Sequence, residues 1–375
     1  MRKIQMVDLH AQYQNIKSEV DNAIQGVIDS TAFINGPQVK DFADNLSEYL
    51  SAEHAIPCAN GTDALQIALM ALDLKPGDEV ITPDFTFIST VEVVKLLGLK
   101  PVLVDVDKDT FLINIQKIEN AITKKTKAIV PVHLFGQCVD MYEINALAEK
   151  YGLAVIEDTA QAIGSDFSRG DLSGKAGTLG DIGCTSFFPS KNLGCFGDGG
   201  AIYTNNADLA GKIKSIANHG SEKKYYHSEV GVNSRLDTLQ AAILDVKLKY
   251  LDEYNRRRRW AADYYDKMLA NINEVKVPLR TAYSTHIFHQ YTITLQNKEI
   301  RDTLKQYLKE RAIPSMIYYP VPMHLQEAYM DEKNEQTELA VSKQLAETVL
   351  SLPMHTELDV EQLAYITEAI HEFFN

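Results

Sequence analysis

From residue 54 to about residue 205, short apolar runs alternate with stretches of helical periodicity, and this alternation limits the fold more than any other feature of the chain. His54-Ala55-Ile56-Pro57-Cys58 precedes the helical Ala64-Leu65-Gln66-Ile67-Ala68-Leu69-Met70, and Glu79-Val80-Ile81-Thr82 precedes residues 88–97. Pro101-Val102-Leu103-Val104-Asp105 reads as a further strand, and residues 127–132 and 153–156 flank a helix at about 140–150. Short strands separated by helix-length segments give helices packed over a mainly parallel sheet. Two later runs, residues 184–188 and 200–204, have no long helix between them, so they are antiparallel or simply adjacent strands. Residues 207–217 and 236–259 read as helices, the second long enough to bridge two domains. Past it the pattern changes. Residues 289–295 alternate at period two, 299–310 are helical, 314–319 are extended, and helices at about 335–349 and 359–373 close the chain. The expectation is an α/β domain over 1–250, including the N-terminal segment, and a smaller α+β domain over 251–375.

Composition removes several classes of function. The formal net charge of −14 disfavours nonspecific binding to nucleic acid or to an anionic membrane. Arg256-Arg257-Arg258-Arg259 follows two acids and precedes Trp260, as on a solvated helix face. Cys58, Cys138, Cys184 and Cys195 form no C-x-x-C pair, which argues against a zinc or disulfide framework and for reduced thiols. The first residues lack an apolar leader core, and no run of about 18 apolar residues suggests a membrane span. These features predict a cytoplasmic protein with no resident metal.

Ligands of open α/β sheets bind beyond the carboxyl ends of the strands. Two such ends carry reactive groups. Glu157-Asp158-Thr159-Ala160-Gln161 follows one apolar run, and Ser186-Phe187-Phe188-Pro189-Ser190-Lys191 follows another. A third, Asn60-Gly61-Thr62-Asp63, opens a helix whose free N–H groups suit an anion. Phe87, in Thr82-Pro83-Asp84-Phe85-Thr86-Phe87, offers a ring to a flat cofactor. Each has an ordinary reading when taken singly: an N-cap, a core phenylalanine, a helix-capping Asp158, an exposed loop Lys191. Their conjunction is what one pyridoxal 5'-phosphate (PLP) site uses. Lys191 forms a Schiff base and then moves protons, while Asp158 keeps the pyridine nitrogen protonated. There is no G-x-x-x-x-G-K-[ST] phosphate loop, and the glycines from Gly194 to Gly200 lack dinucleotide spacing.

Five segments in order, Asn60-Gly61-Thr62-Asp63-Ala64-Leu65, residues 157–161, residues 186–191, Gly197-Asp198-Gly199-Gly200-Ala201 and residues 231–242, resemble the DegT/DnrJ/StrS aminotransferases. The resemblance spans nearly the whole chain. It implies a fold-type I PLP enzyme acting on nucleotide-linked keto sugars. By the same resemblance Gly61, Thr62, Asp63 and Ser186 match the phosphate cradle, Phe87 the stacking ring and Gln161 the contact to the cofactor's phenolic oxygen. Asn233 matches a residue reaching the phosphate from a neighbouring subunit, so a homodimer with shared sites is implied. Arg235, Tyr319 and His324 resemble residues near the sugar, although packing is an equal reading for Tyr319. The branch that looks most similar uses L-glutamate as donor and UDP-2-acetamido-2-deoxy-3-oxo-D-glucuronate as acceptor, in surface-polysaccharide synthesis. A dTDP-linked 3-keto or UDP-linked 4-keto acceptor stays open. Lys191 argues against relatives that are dehydratases with histidine there, and no DNA-binding appendage supports a regulator.

Overall fold

A computed structural model describes residues 2–221, 223, 225–329 and 339–375. Two helices, α1 (Leu9–Ser30) and α2 (Pro37–Leu50), lead into an alternating region. It runs β1 (His54–Cys58), α3 (Gly61–Ala71), β2 (Glu79–Pro83), α4 (Ser89–Leu96), β3 (Lys100–Val104), α5 (Ile115–Ala121), β4 (Thr126–Ile129), α6 (Met141–Tyr151) and β5 (Ala154–Asp158). A hairpin, β6 (Asp166–Arg169) and β7 (Leu172–Lys175), precedes β8 (Ile182–Ser186) and β9 (Gly200–Thr204). The main sheet has seven strands in the order β1-β9-β8-β5-β4-β2-β3. All run parallel except β9, which is antiparallel to both of its neighbours. The open alternative for the two late runs thus resolves to antiparallel partners. Their connection holds no crossover helix of the kind a parallel pair needs.

Strand alternation decides which side chain faces which layer. Val80, Ala128, Ile156, Ile182 and Ile202 share one core cluster with helices α3 and α4 and with α7 (Ala207–Ala217). Ile81, Ile129 and Val155 share another with α5 and α6. The same parity carries Asp158 and Ser186 onto the α3–α4 side, while Glu157 points to the opposite side. There the buried Glu157 carboxylate accepts N–H groups from Gly177, Leu179 and Gly180 at 2.6–2.8 Å and faces the His133 ring at 2.8 Å. A buried carboxylate with four such partners is an anchor for the 177–180 turn.

The helix expected over 236–259 is two helices, α8 (Thr238–Leu248) and α9 (Leu251–Leu269). No glycine or proline marks the break. Packing makes it: Ile243, Val246, Leu244 and Leu248 of α8 are held against α1 and α2, whereas Ala261, Ala262, Tyr265 and Leu269 of α9 enter the core of the C-terminal part. That part has an antiparallel sheet of β10 (Val275–Lys276), β11 (Tyr291–Leu295) and β12 (Val349–Leu352), with α10 (Lys298–Glu310), α11 (Ala340–Thr348) and α12 (Val360–Phe374). Of the helix expected at 335–349, residues 335–338 lie outside the described residues. The extended run 314–319 forms only one isolated bridge, Met316 with Ser351. The N-terminal residues pack here as well. Ile4 joins this core, and Arg2 bonds the Glu357 carbonyl and the Asp359 carboxylate. All four cysteines are buried and free.

Asp105, at the end of β3, ties the two parts together. Its fully buried carboxylate accepts the N–H groups of Val341 and Ser342 and the Ser342 hydroxyl at 2.7–3.0 Å, and pairs with Lys117 at 3.2 Å. Burial alone would raise its pKa, but these donors together hold it below the usual carboxylate value. The lowered folded-state pKa means that the stabilisation is present above about pH 4 and is lost as pH falls through the folded value. Asp105→Ala strands the α11 N-terminus and is expected to cost on the order of 3 kcal/mol. The urea midpoint checks this. Equal loss at neutral pH and at a pH below the folded value would contradict it.

Candidate active site

The carboxyl ends of β1, β2, β5 and β8 lie along the same edge of the main sheet, the edge at which α3 begins. Asn60 is extended and its side chain accepts the Asp63 N–H at 2.8 Å, which caps α3 and leaves its first turn facing outward. Gly61 has functional value because of what lies against it. A Cβ there would meet Ser186 Cβ at 2.6 Å, and one at Gly200 would meet the Asn60 carbonyl carbon at 2.5 Å. Small residues at both positions let β8 and β9 press against the helix start, so the Ser186 hydroxyl and the α3 N–H groups share one cradle. The Thr62 hydroxyl joins it, hydrogen-bonded to the Ser89 hydroxyl at 2.7 Å. Asp63 stands in the first turn, where an acid complements the helix dipole.

Asp158 is buried. Its carboxylate accepts the Thr90 hydroxyl at 2.9 Å and the Ala160 N–H at 3.1 Å. Burial pushes its pKa up, and the two donors and the Lys191 charge only partly oppose this. Such a carboxyl gains most from a cation placed against it. Lys191 lies within electrostatic reach of it. Burial brings the Lys191 amine down to about 8, against the opposing pull of Asp158. A lysine at that value supplies neutral, nucleophilic amine near neutral pH.

Phe87 and Phe85 have opposite fates. Phe85 is core, whereas Phe87 is 53% exposed at the rim with its ring centroid 6.1 Å from that of Tyr319. Gln161 accepts the Phe135 N–H at 2.7 Å and donates to the Tyr319 hydroxyl at 2.9 Å. Tyr319 therefore braces Gln161 and Phe87. His324 is held by Asp84, with its Nδ1 2.6 Å from the carboxylate. Asn233 and Arg235 stand apart on the 232–236 segment. Ser234 is buried, receiving the Ala59 N–H at 3.1 Å, whereas Asn233, bridged through its backbone to Asn218, is exposed. Arg235 approaches the Asn218 side chain at 3.5 Å.

Ser89, Thr90 and Asp84 were missed in reading the sequence. The signal was present, as polar residues clustered at the start of the 88–97 helix and after a strand, but nothing local says that they are buried and face Thr62, Asp158 and His324.

Residues 14–371 match the DegT/DnrJ/EryC1/StrS aminotransferase family. The chain belongs to that family. It is 45% identical, over 98% of its length and 99% of the relative's, to a UDP-2-acetamido-2-deoxy-3-oxo-D-glucuronate aminotransferase of Pseudomonas aeruginosa. It is 46% identical, over 98% and 97%, to a UDP-N-acetyl-3-dehydro-alpha-D-glucosamine 3-aminotransferase of Acidithiobacillus ferrooxidans. The fold matches the crystal structure of NtdA from Bacillus subtilis with bound cofactor PMP at a TM-score of 0.92 and 33% identity, covering 100% of this chain and 86% of that one. This aminotransferase thus uses the PLP/PMP cofactor, and the cradle at α3, the buried acid and the low-pKa lysine fit that group. Among the described residues no helix is long and apolar enough to cross a membrane.

Proposed function

We propose that this protein transfers the amino group of L-glutamate to the keto carbon of a nucleotide-linked 3-keto hexose, namely UDP-2-acetamido-2-deoxy-3-oxo-D-glucuronate, in surface-polysaccharide synthesis. The observation that carries the reaction is Lys191, in the turn that follows β8, within electrostatic reach of the buried Asp158 at the end of the neighbouring β5. The acceptor is supported by the two relatives at 45% and 46% identity, both named for UDP-linked 3-oxo or 3-dehydro sugars.

Bound in this site, PLP supplies a carbonyl that takes up amines and a ring that accepts electrons. The protein's residues do the rest. Lys191 Nζ would hold the cofactor at its carbonyl carbon until the substrate's amine displaces it, and the freed amine would then take a proton from the substrate carbon and deliver it to that carbonyl carbon. Asp158 keeps a proton on the ring nitrogen. Phe87 covers one ring face, and Gln161 holds the phenolic oxygen. The α3 N–H groups from Gly61 to Asp63, with the Thr62 and Ser186 hydroxyls, bind the phosphate. Arg235, Tyr319 and His324 address the substrates. Two half-reactions share the pocket, so the kinetics are ping-pong.

The exposed Asn233 completes the cradle of a second copy, which makes the active form a homodimer with its large and small domains divided near residue 250. A fully active monomer by light scattering excludes that sharing. The cytoplasm suits four buried free thiols. The deciding assay supplies PLP and glutamate with UDP-linked 3-keto uronate, dTDP-linked 3-keto sugar or UDP-linked 4-keto sugar. Product only from the 4-keto acceptor refutes the regiochemistry, and turnover of amino and keto acids without any sugar refutes the sugar assignment.

A further inference from the structure

Asp84 follows directly on β2 and is fully buried. Its two carboxylate oxygens are used on one residue. One accepts the His324 backbone N–H at 2.8 Å, and the other lies 2.6 Å from His324 Nδ1. Its own carbonyl accepts the Met323 N–H at 3.0 Å, and its N–H donates to the Val104 carbonyl at 2.9 Å. The 323–324 turn is thereby pinned to the end of the main sheet. The same loop brings Tyr319, five residues earlier, against Gln161 and Phe87. The His324 side chain is only 14% exposed, so its ring has little freedom to turn.

We propose that Asp84 is a positioning residue for the acceptor sugar: it fixes His324 as the Nδ1–H tautomer, so that Nε2 accepts a hydrogen bond from a hexose hydroxyl. A carboxylate can only accept, so the nitrogen facing it carries the proton, and a neutral ring then has a lone pair on the other nitrogen. The pairing also decides what the histidine is suited to. A protonated ring against a buried carboxylate is a neutral unit, poorly matched to the carboxylates of the amino donor or to a diphosphate. An oriented neutral acceptor matches a hydroxyl. His324 therefore serves the sugar half-reaction and not the glutamate half-reaction. This inference rests on the sugar aminotransferase reading above.

Asp84→Asn tests it with little change in shape. The amide oxygen retains the His324 backbone N–H, and the amide NH2 then faces Nδ1. Nδ1 becomes the acceptor, and the proton moves to Nε2. The first measurement is 15N NMR of the His324 ring in the holoenzyme. Wild type is expected to be protonated on Nδ1 alone, and Asp84→Asn on Nε2 alone. The second is the pair of half-reactions. The KM for the keto sugar is expected to rise roughly tenfold, the equivalent of about one hydrogen bond, with the glutamate half-reaction unchanged. In a His324→Gln background the Asp84→Asn change is expected to add nothing, since Asp84 acts through the ring. A doubly protonated wild-type ring, an unchanged sugar KM, an equal effect on both half-reactions, or a full Asp84→Asn effect without His324 each overturns the assignment. Failure of the sugar reading looks different: the wild-type protein takes an amino group from glutamate and passes it to no sugar, while the NMR result still decides the tautomer.

Discussion

Lys191→Ala is expected to abolish turnover, with the protein still folded and still able to hold the cofactor phosphate at the α3 cradle. In the proposed reaction the amine does two jobs: it bonds the cofactor carbonyl, and once freed it carries the proton between carbons. Loss of acid/base work alone typically costs roughly 10²–10⁴-fold, and loss of the covalent anchor adds to it. Burial sets the timing of both jobs. With the amine at about 8, the neutral fraction rises steeply between pH 7 and 9, so capture of PLP by the apoprotein is expected to accelerate over that window with its midpoint near 8. Stopped-flow absorbance across pH measures this. A midpoint at the ordinary lysine value would show that burial does not lower the amine's pKa, and near-normal turnover by Lys191→Ala would show that another group forms the bond.

Asp158→Asn is expected to lower kcat by about 10²-fold or more, since a preorganised charge opposite the cofactor is replaced by a neutral amide. The wild-type carboxyl is buried, and among the described residues Thr90 and Ala160 are its hydrogen-bond donors. Burial raises its pKa, so in the proposed site a protonated ring nitrogen would be the cation that keeps it ionised. That interaction would be mutual, and the electron-accepting power of the ring would depend on it. Fold and phosphate binding are expected to survive, because the amide oxygen can still take the Thr90 hydroxyl. The informative readout is kcat together with cofactor occupancy. Full occupancy with reduced kcat supports the role, whereas an unchanged kcat would reduce Asp158 to a cap on the turn at Ala160.

The short apolar runs and intervening helical periods were enough to predict β–α–β units, and with them the strand-end positions of Asp158 and Ser186; Lys191, expected at a strand end, lies five residues past β8 in the turn that follows it. The motif order added the cofactor and the family. These features are local, or are written in order along the chain, so sequence alone carries them. The break between α8 and α9 was not legible, because it depends on α1 and α2 gripping one helix while the C-terminal core claims the next. Nor was the split between Phe85 and Phe87, two like residues two positions apart, one in the core and one at the rim. Tyr319, read equally as packing or as a sugar contact, braces Gln161 across 158 residues of chain. Asp84 meets His324 across 240. The sequence by itself determined which chemical groups stand at strand ends. The tertiary structure alone decided which of them are dry, which are paired and at what pKa the lysine works, because desolvation and hydrogen bonding depend on neighbours brought together only by the folded sheet and its loops.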